Sequence, residues 1–216
     1  MQFLKNVTLL GAGQVNKDDI DLAMSIAPTL VAADGGAKIA VKMGQTPEFV
    51  VGDFDSISSS ILKKIPKSAQ LRIENQNSTD FEKCLGNVQA PLILGVGFLG
   101  RRLDHQLAAL HALVKYRDTR CILLGKKDVC FHVPRQFSIS LKSGSRFSLF
   151  PFAPTSGRST GLQWPIDGLA FQPHQKIGTS NRVVSGKVKL TMEQPGMIAI
   201  LPRNALKAAV QALGAQ

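Results

Sequence analysis

Short apolar runs recur along the first 125 residues, each stopped by glycine or aspartate and followed by a stretch of helical period. Val7-Thr8-Leu9-Leu10 runs into Gly11-Ala12-Gly13, Leu30-Val31-Ala32-Ala33 into Asp34-Gly35-Gly36-Ala37, and Phe49-Val50-Val51 into Gly52-Asp53-Phe54-Asp55-Ser56. Runs of this length with no polar alternation read as strands buried on both faces, which is the habit of parallel sheets. Further strands are expected at 70–73, 91–95 and Cys121–Leu124. Helices are expected at 18–27, closed by Pro28, at 38–43, at 58–64, after Thr79, and from Asp104 to Tyr116, where Leu107, Leu110, Leu113 and Val114 keep helical spacing. Thr79 and Glu82 stand three apart, as a capping box requires.

From Val129 the pattern changes. Strand-like runs at 137–141, 146–150, 183–184, 187–192 and 197–201 follow one another, separated by Gly, Pro and Ser clusters, with no helix until 205–213. Residues 155–160 read as a flexible loop. The fold class is therefore α/β: a doubly wound, mostly parallel sheet domain followed by a small all-β sandwich domain, with the break near Val133-Pro134, giving domains 1–133 and 134–216. There is no internal repeat or low-complexity tract.

Chemistry is expected where strands end, because an open parallel sheet binds ligands beyond its strand C-termini. Asp53 and Asp55 can face one cation if the backbone turns between them. Two like charges about 4 Å apart cost on the order of 4 kcal/mol at an effective dielectric of 20, which favours a counter-ion. Mg²⁺ suits such oxygen ligands; a solvated loop ending in a helix cap accounts for a lone Asp-x-Asp equally well. Asp34 precedes two glycines that allow close backbone approach to a ligand. Asp80 is a third carboxylate at the same sheet edge, although capping alone would explain it. Gly100-Arg101-Arg102 suits a polyphosphate, since a guanidinium grips phosphate oxygens bidentately, and Asp104 also suits a helix cap. Gly11-Ala12-Gly13 lacks the third glycine of a dinucleotide loop, Asn16 standing in its place.

Composition narrows the partners. The 216 residues are 44% hydrophobic and 19% charged, which is globular. The net charge of +11 favours anionic partners. Cys84, Cys121 and Cys130 are odd in number, lack metal spacing and sit among apolar residues, so they read as reduced core residues of a cytoplasmic protein. No apolar stretch approaches membrane-spanning length, and neither a membrane nor a secretory route is expected.

The ordered set Asp34-Gly35-Gly36-Ala37, Gly52-Asp53-Phe54-Asp55-Ser56, Ser78-Thr79-Asp80-Phe81, Gly100-Arg101-Arg102-Leu103-Asp104-His105, Gly161-Leu162-Gln163-Trp164 and Thr179-Ser180-Asn181 resembles the thiamine pyrophosphokinase family. The resemblance implies transfer of a pyrophosphoryl group from ATP to the thiamine hydroxyl, giving thiamine diphosphate and AMP. It also implies a homodimer with the active site near the subunit interface. By motif, Asp53, Asp55 and Asp80 would hold Mg²⁺ and carry the catalysis, with Asp80 as first choice of general base. Asp34 and Asp104 would line the acidic site, and Gly35, Gly36, Arg102 and His105 would meet ATP. Gln76, Thr79, Thr179, Ser180 and Asn181 would belong to thiamine binding. Two positions depart from the pattern: Gly178, where eukaryotic members often have serine, and Arg101, where many have glycine. Trp164, among apolar neighbours, reads as sandwich core.

A pyrophosphokinase for another alcohol, such as a hydroxymethyl pterin, would keep the acidic motifs but not Trp164 and Thr179-Ser180-Asn181. A phosphoaspartate phosphatase would carry Asp-x-Asp on its first strand rather than its third. A nucleic-acid-binding module is compatible with the charge, but 6% aromatic residues with no basic-aromatic alternation give no stacking platform, so no nucleic acid is expected.

Overall fold

A computed structural model of the chain describes residues 1–100 and 102–214; the Arg101 departure lies outside them. The chain divides into two compact units, Met1–Ala112 with Leu123–Gly125, and Leu113–Ile122 with Lys126–Gln216.

The first unit carries β1 (Val7–Leu10), α1 (Lys17–Ile26), β2 (Thr29–Ala33), α2 (Gly36–Lys42), β3 (Phe49–Gly52), α3 (Ser59–Leu62), β4 (Gln70–Arg72), α4 (Asp80–Asn87) and β5 (Ile93–Val96). Helix α5 (Leu103–Lys115) and strand β6 (Cys121–Leu124) straddle the division of the chain. The first five strands are parallel in the order β5-β1-β2-β3-β4. Every residue of β1, β2 and β5 is buried, which is why these segments show no polar alternation. The order reverses beside β1, so the switch point, where such sheets open a crevice, lies between the ends of β1 and β5. The loops leaving those strands meet there, Gly13 N–H donating to Gly97 O at 2.9 Å. Asn16 is the N-cap of α1: its Oδ1 accepts from Asp19 N at 2.8 Å, and the Asp19 carboxylate accepts from Asn16 N at 3.2 Å. That capping duty explains an asparagine where a dinucleotide loop would need glycine.

The second unit carries β7 (Asp128–His132), β8 (Gln136–Ser140), β9 (Arg146–Pro151), β10 (Gly157–Thr160), β11 (Gly178–Arg182), β12 (Lys187–Met192), β13 (Met197–Pro202) and α6 (Leu206–Gly214). Strands β11-β9-β13-β7 pair antiparallel, and β10-β12-β8 form a separate antiparallel sheet. Strands β8 and β12 alternate strictly between exposed and buried positions, the mark of strands with one wet face. Phe131 of β7 meets Phe137 of β8 with ring centroids 5.2 Å apart, so the two sheets share one core.

Three expectations are corrected. Residues 155–160 are not a loop: Gly157–Thr160 is a strand paired to β12. A Cβ at Gly157 would stand 2.5 Å from Thr191 O, so the inward position has to be bare, and a strand reading Gly-Arg-Ser-Thr carries no apolar signal. The strand expected at 183–184 is instead β11, which ends at Arg182; Val183 beyond it forms an isolated bridge with Leu162, and Val184 is exposed. Trp164 is not core: it is 54% exposed although Leu162 and Ile166 beside it are buried. Strand β7 was not singled out by the pattern at all, because Asp128 and His132 bound a run of only three apolar residues. All three cysteines are buried and outside any disulfide among the described residues, and burial pushes the Cys130 thiol up to about 12.

His132 Nε2 accepts from Gly196 N at 3.2 Å. Burial first, and the Arg117 charge second, lower its pKa from 6.5 to about 4. The folded chain thus holds the imidazole neutral while the unfolded chain protonates it, so stability is present above pH 6.5 and drains as pH falls towards 4. The expected loss is no more than about 3 kcal/mol. Denaturant midpoints of wild type and His132→Gln, compared between pH 7 and 4.5, should show a shallower pH slope for the variant.

Candidate active site

The ends of β2 and β3 bring three carboxylates together. Asp34 follows β2 with φ 40°, its N–H donating to Val51 O at 2.8 Å, and its Oδ1 accepts from Phe54 N at 3.0 Å. Gly52 permits this approach: a Cβ there would lie 2.8 Å from Asp34 Cβ. Phe54, at φ 68°, supplies the turn that an Asp-x-Asp pair needs to face one cation. The left-handed region costs a non-glycine residue about 1–2 kcal/mol. The Phe54 side chain packs against a cluster that includes Val50, Ile57 and Ile65, which holds the turn in place. One carboxylate oxygen from each of Asp34, Asp53 and Asp55 lies within 4.8 Å of the others. Three hard oxygen donors converging in this way fit a divalent cation such as Mg²⁺.

Asp80, the first residue of α4, joins this group through a lysine that sequence reasoning missed. Lys83 Nζ donates to Asp53 Oδ2 at 2.7 Å and to Asp80 Oδ1 at 3.1 Å, and its side chain is only 3% exposed. Burial opposes the ammonium charge, but the hydrogen bonds to Asp53 and Asp80 outweigh it and hold the Lys83 pKa above its ordinary value. Asp53 is correspondingly lowered, first by the Lys83 hydrogen bond. Asp80 is raised, because burial outweighs the same lysine. Burial likewise raises Asp34, helped by the charge of Asp80. The only signal in the sequence was a cation one turn after Asp80; that Phe81, Glu82, Lys83, Cys84 and Leu85 are all buried is visible in the structure alone. The cap of α4 is as expected, Thr79 accepting from Glu82 N at 3.3 Å and Glu82 accepting from Thr79 N at 3.0 Å.

A cavity of about 800 Å³ opens over this group at the switch point. Asp34, Asp53, Asp80 and Lys83 border it, together with Gly35, Gln76, Thr79, Arg102 and His105 and the loops of Gly11, Gly13 and Gly97. Its size falls in the range of small-molecule sites. Gly36 is instead pressed behind it, where a Cβ would stand 2.0 Å from Leu10 O. Asp55 faces an adjoining hollow of about 480 Å³ shared with Asp53 and Gln76, and accepts from the Ser56 hydroxyl at 2.9 Å. Asp104 turns its carboxylate to Arg102, at 2.5 and 3.1 Å, and accepts from His105 N at 2.9 Å. The Arg102 guanidinium holds the Asp104 carboxyl below its usual range.

Thr179, Ser180 and Asn181 lie in the second unit, on β11. Thr179 and Ser180 are exposed and Asn181 is buried. A Cβ at Gly178 would lie 3.2 Å from Leu149 Cβ and 3.3 Å from Phe171 Cε1, so the glycine there sits in a tight slot.

Comparison with known proteins places the chain among transferases. Residues 20–124 match the model of the thiamin pyrophosphokinase catalytic domain, and residues 131–196 that of the thiamin pyrophosphokinase vitamin B1 binding domain. The chain belongs to the thiamine pyrophosphokinase family. Thiamine pyrophosphokinase 1 of Oryza sativa subsp. japonica is 27% identical over 208 residues, 81% of this chain and 79% of that protein. Thiamine pyrophosphokinase 1 of Arabidopsis thaliana is 28% identical over 192 residues, 73% of this chain and 72% of that protein. Among solved structures, thiamin pyrophosphokinase from Candida albicans superposes with a TM-score of 0.73 at 18% identity, covering 92% of this chain and 89% of that one.

Removing Lys83 leaves two carboxylates facing each other without their shared cation. Lys83→Met should lower stability by about 1–3 kcal/mol, less than the 3–5 kcal/mol of a fully buried pair because Asp80 is partly exposed. Adding Asp53→Asn to Lys83→Met should recover part of that loss in urea unfolding.

Proposed function

We propose that the chain transfers a pyrophosphoryl group from ATP to the hydroxyl of thiamine, giving thiamine diphosphate and AMP. The observation that carries this reading is the convergence of Asp34, Asp53, Asp80 and Lys83 beside one cavity, with Asp55 joining the carboxylates from the adjoining hollow, in a chain of this family. The thiamine hydroxyl oxygen attacks the β-phosphorus, the bond from that phosphorus to the α–β bridging oxygen breaks, and AMP leaves with the bridging oxygen. Asp34, Asp53 and Asp55 would hold Mg²⁺, which when bound would offset the negative charge of the triphosphate.

The chain's own residues carry the remaining tasks. Asp80 stands outside the three-carboxylate group, and burial favours its protonated form, so it is the carboxylate best suited to take the hydroxyl proton. Lys83 supplies a fixed positive charge at the cavity wall, and Arg102 and His105 border the space assigned to the phosphates. Gly35 brings bare backbone to the same space, with Gly36 supporting it from behind. Gln76 and Thr79 are assigned to the thiamine side of the cavity. Residues 1–133 are assigned to the nucleotide and 134–216, through Thr179, Ser180 and Asn181, to thiamine. The reading includes a homodimer and residence in the cytoplasm, with which three reduced, buried cysteines agree. Among the described residues no helix is long and apolar enough to cross a membrane.

Incubation with ATP, Mg²⁺ and thiamine should yield AMP and thiamine diphosphate in equal amounts, and appearance of ADP instead would reject pyrophosphoryl transfer. Asp80→Asn should lower kcat by about 10²–10⁴ with an unchanged circular dichroism spectrum; a rate near wild type removes Asp80 from the role of base.

A further inference from the structure

The three-stranded sheet of the second unit, β10-β12-β8, turns one face to the core and the other outward. Register fixes what stands beside what on the outer face. Lys189 of β12 lies between Thr160 of β10 and Ser138 of β8, Arg158 lies opposite Thr191, and Lys187 opposite Ser140. All of these residues are exposed. Each cation therefore has hydroxyl side chains as its cross-strand neighbours, and none has an acid.

That choice is unusual for a face that serves solubility alone. Opposite charges on adjacent strands stabilise a sheet, and an ordinary surface intersperses both signs. Here Lys187 and Lys189 stand two apart on one strand, about 6–7 Å at the usual rise, and repel each other. Among the described residues no ion pair relieves Arg158, Lys187 or Lys189. A hollow of about 900 Å³ deepens one end of the face, bordered by Arg135, Gln136, Ser138, Lys189, Thr191 and Glu193. Arg135 brings a fourth cation, and Glu193, just past the end of β12, is the acid at the rim. Asp167 approaches β10 but is taken up by backbone, accepting from Ser159 N at 3.1 Å.

The chemistry of the face selects its occupant. Ammonium and guanidinium groups offset phosphate charge, and hydroxyls between them donate to the remaining phosphate oxygens. The apolar side chains of these strands, Phe137, Ile139, Val188, Leu190 and Met192, are all buried on the other side. A nucleobase would find no ring to stack on. We propose that the outer face of β10-β12-β8 is a docking surface for linear inorganic polyphosphate, laid along β12 over Lys187 and Lys189, with Arg158 on one flank and Arg135 at the hollow. The surface shares no residue with the acidic cavity and does not depend on what is transferred there. It gives a use to part of the net charge of +11, which the acidic cavity does not explain.

Binding of medium-chain polyphosphate to the full chain, followed by electrophoretic mobility across a salt series, tests this. Arg158→Gln, Lys187→Gln and Lys189→Gln combined should weaken binding at least about tenfold and make the slope of log K against log salt shallower by about 2. Lys63→Gln, Lys64→Gln and Lys67→Gln remove the same charge from exposed positions of the first unit, and should change affinity by no more than about twofold. Single-stranded RNA with as many phosphates should bind less tightly than polyphosphate. Equal losses in the two triple variants would reduce the effect to net charge and overturn the proposal. RNA binding as tight as that of polyphosphate, or no polyphosphate binding by wild type at physiological salt, would overturn it too. Should the first variant melt early, Lys187→Gln with Lys189→Gln decides the same question against Lys63→Gln with Lys64→Gln.

Discussion

One buried ammonium conditions everything at the strand ends where the first unit gathers its carboxylates. Asp34, Asp53, Asp55 and Asp80 are gathered by strand ends and a helix start, and four carboxylates cannot be gathered without positive charge to offset them. Lys83 answers that need from within the protein, on the same helix that supplies Asp80. A charge at 3% exposure would by itself be strongly disfavoured; two acceptors at hydrogen-bond distance make it tolerable. The acids and the lysine are thus mutually dependent, and the cavity wall is polar and stiff before any ligand arrives.

Backbone geometry does as much as side-chain chemistry. Asp34 and Phe54 both sit at positive φ, and Gly52 is bare because Asp34 occupies the space a Cβ would need. These three residues convert two strand ends into one acidic surface. The second unit uses the same means for a different end: a bulge at Ser180 turns Asn181 inward to grip the Trp164 turn. In both places strain is held by packing on either side, Phe54 against its apolar cluster and residues 161–166 by their buried anchors.

The α/β half was legible because its strands are apolar throughout and each ends in glycine or aspartate, so both the elements and the edge where acids collect could be read from the pattern. Asp34, Asp53, Asp55 and Asp80 were each recognisable as carboxylates at strand or helix ends. What the pattern does not hold is which of them converge, since that depends on two positive-φ residues, or that Lys83 lies between two of them, since a buried lysine looks like a surface one until its partners are known. In the β half, β10 escaped because its inward positions are a glycine and a serine, chosen for lack of room rather than for apolarity. Trp164 was misread because apolar neighbours were taken as a sign of burial, when those neighbours are the anchors that allow it to stand out.

The pairing of β1 with β5 joins Val7 to Ile93 and Leu10 to Val96, so the crevice at the switch point closes a loop of most of the first unit. Strand pairs this distant in sequence form late, after the local βα units that lie between them. During synthesis, therefore, the acidic residues after β2 and β3 can be in place on a partial sheet while one wall of their cavity does not yet exist. The cavity is completed only when the chain has emerged past Ala109, which ties its existence to the folding of the whole unit rather than of any piece of it.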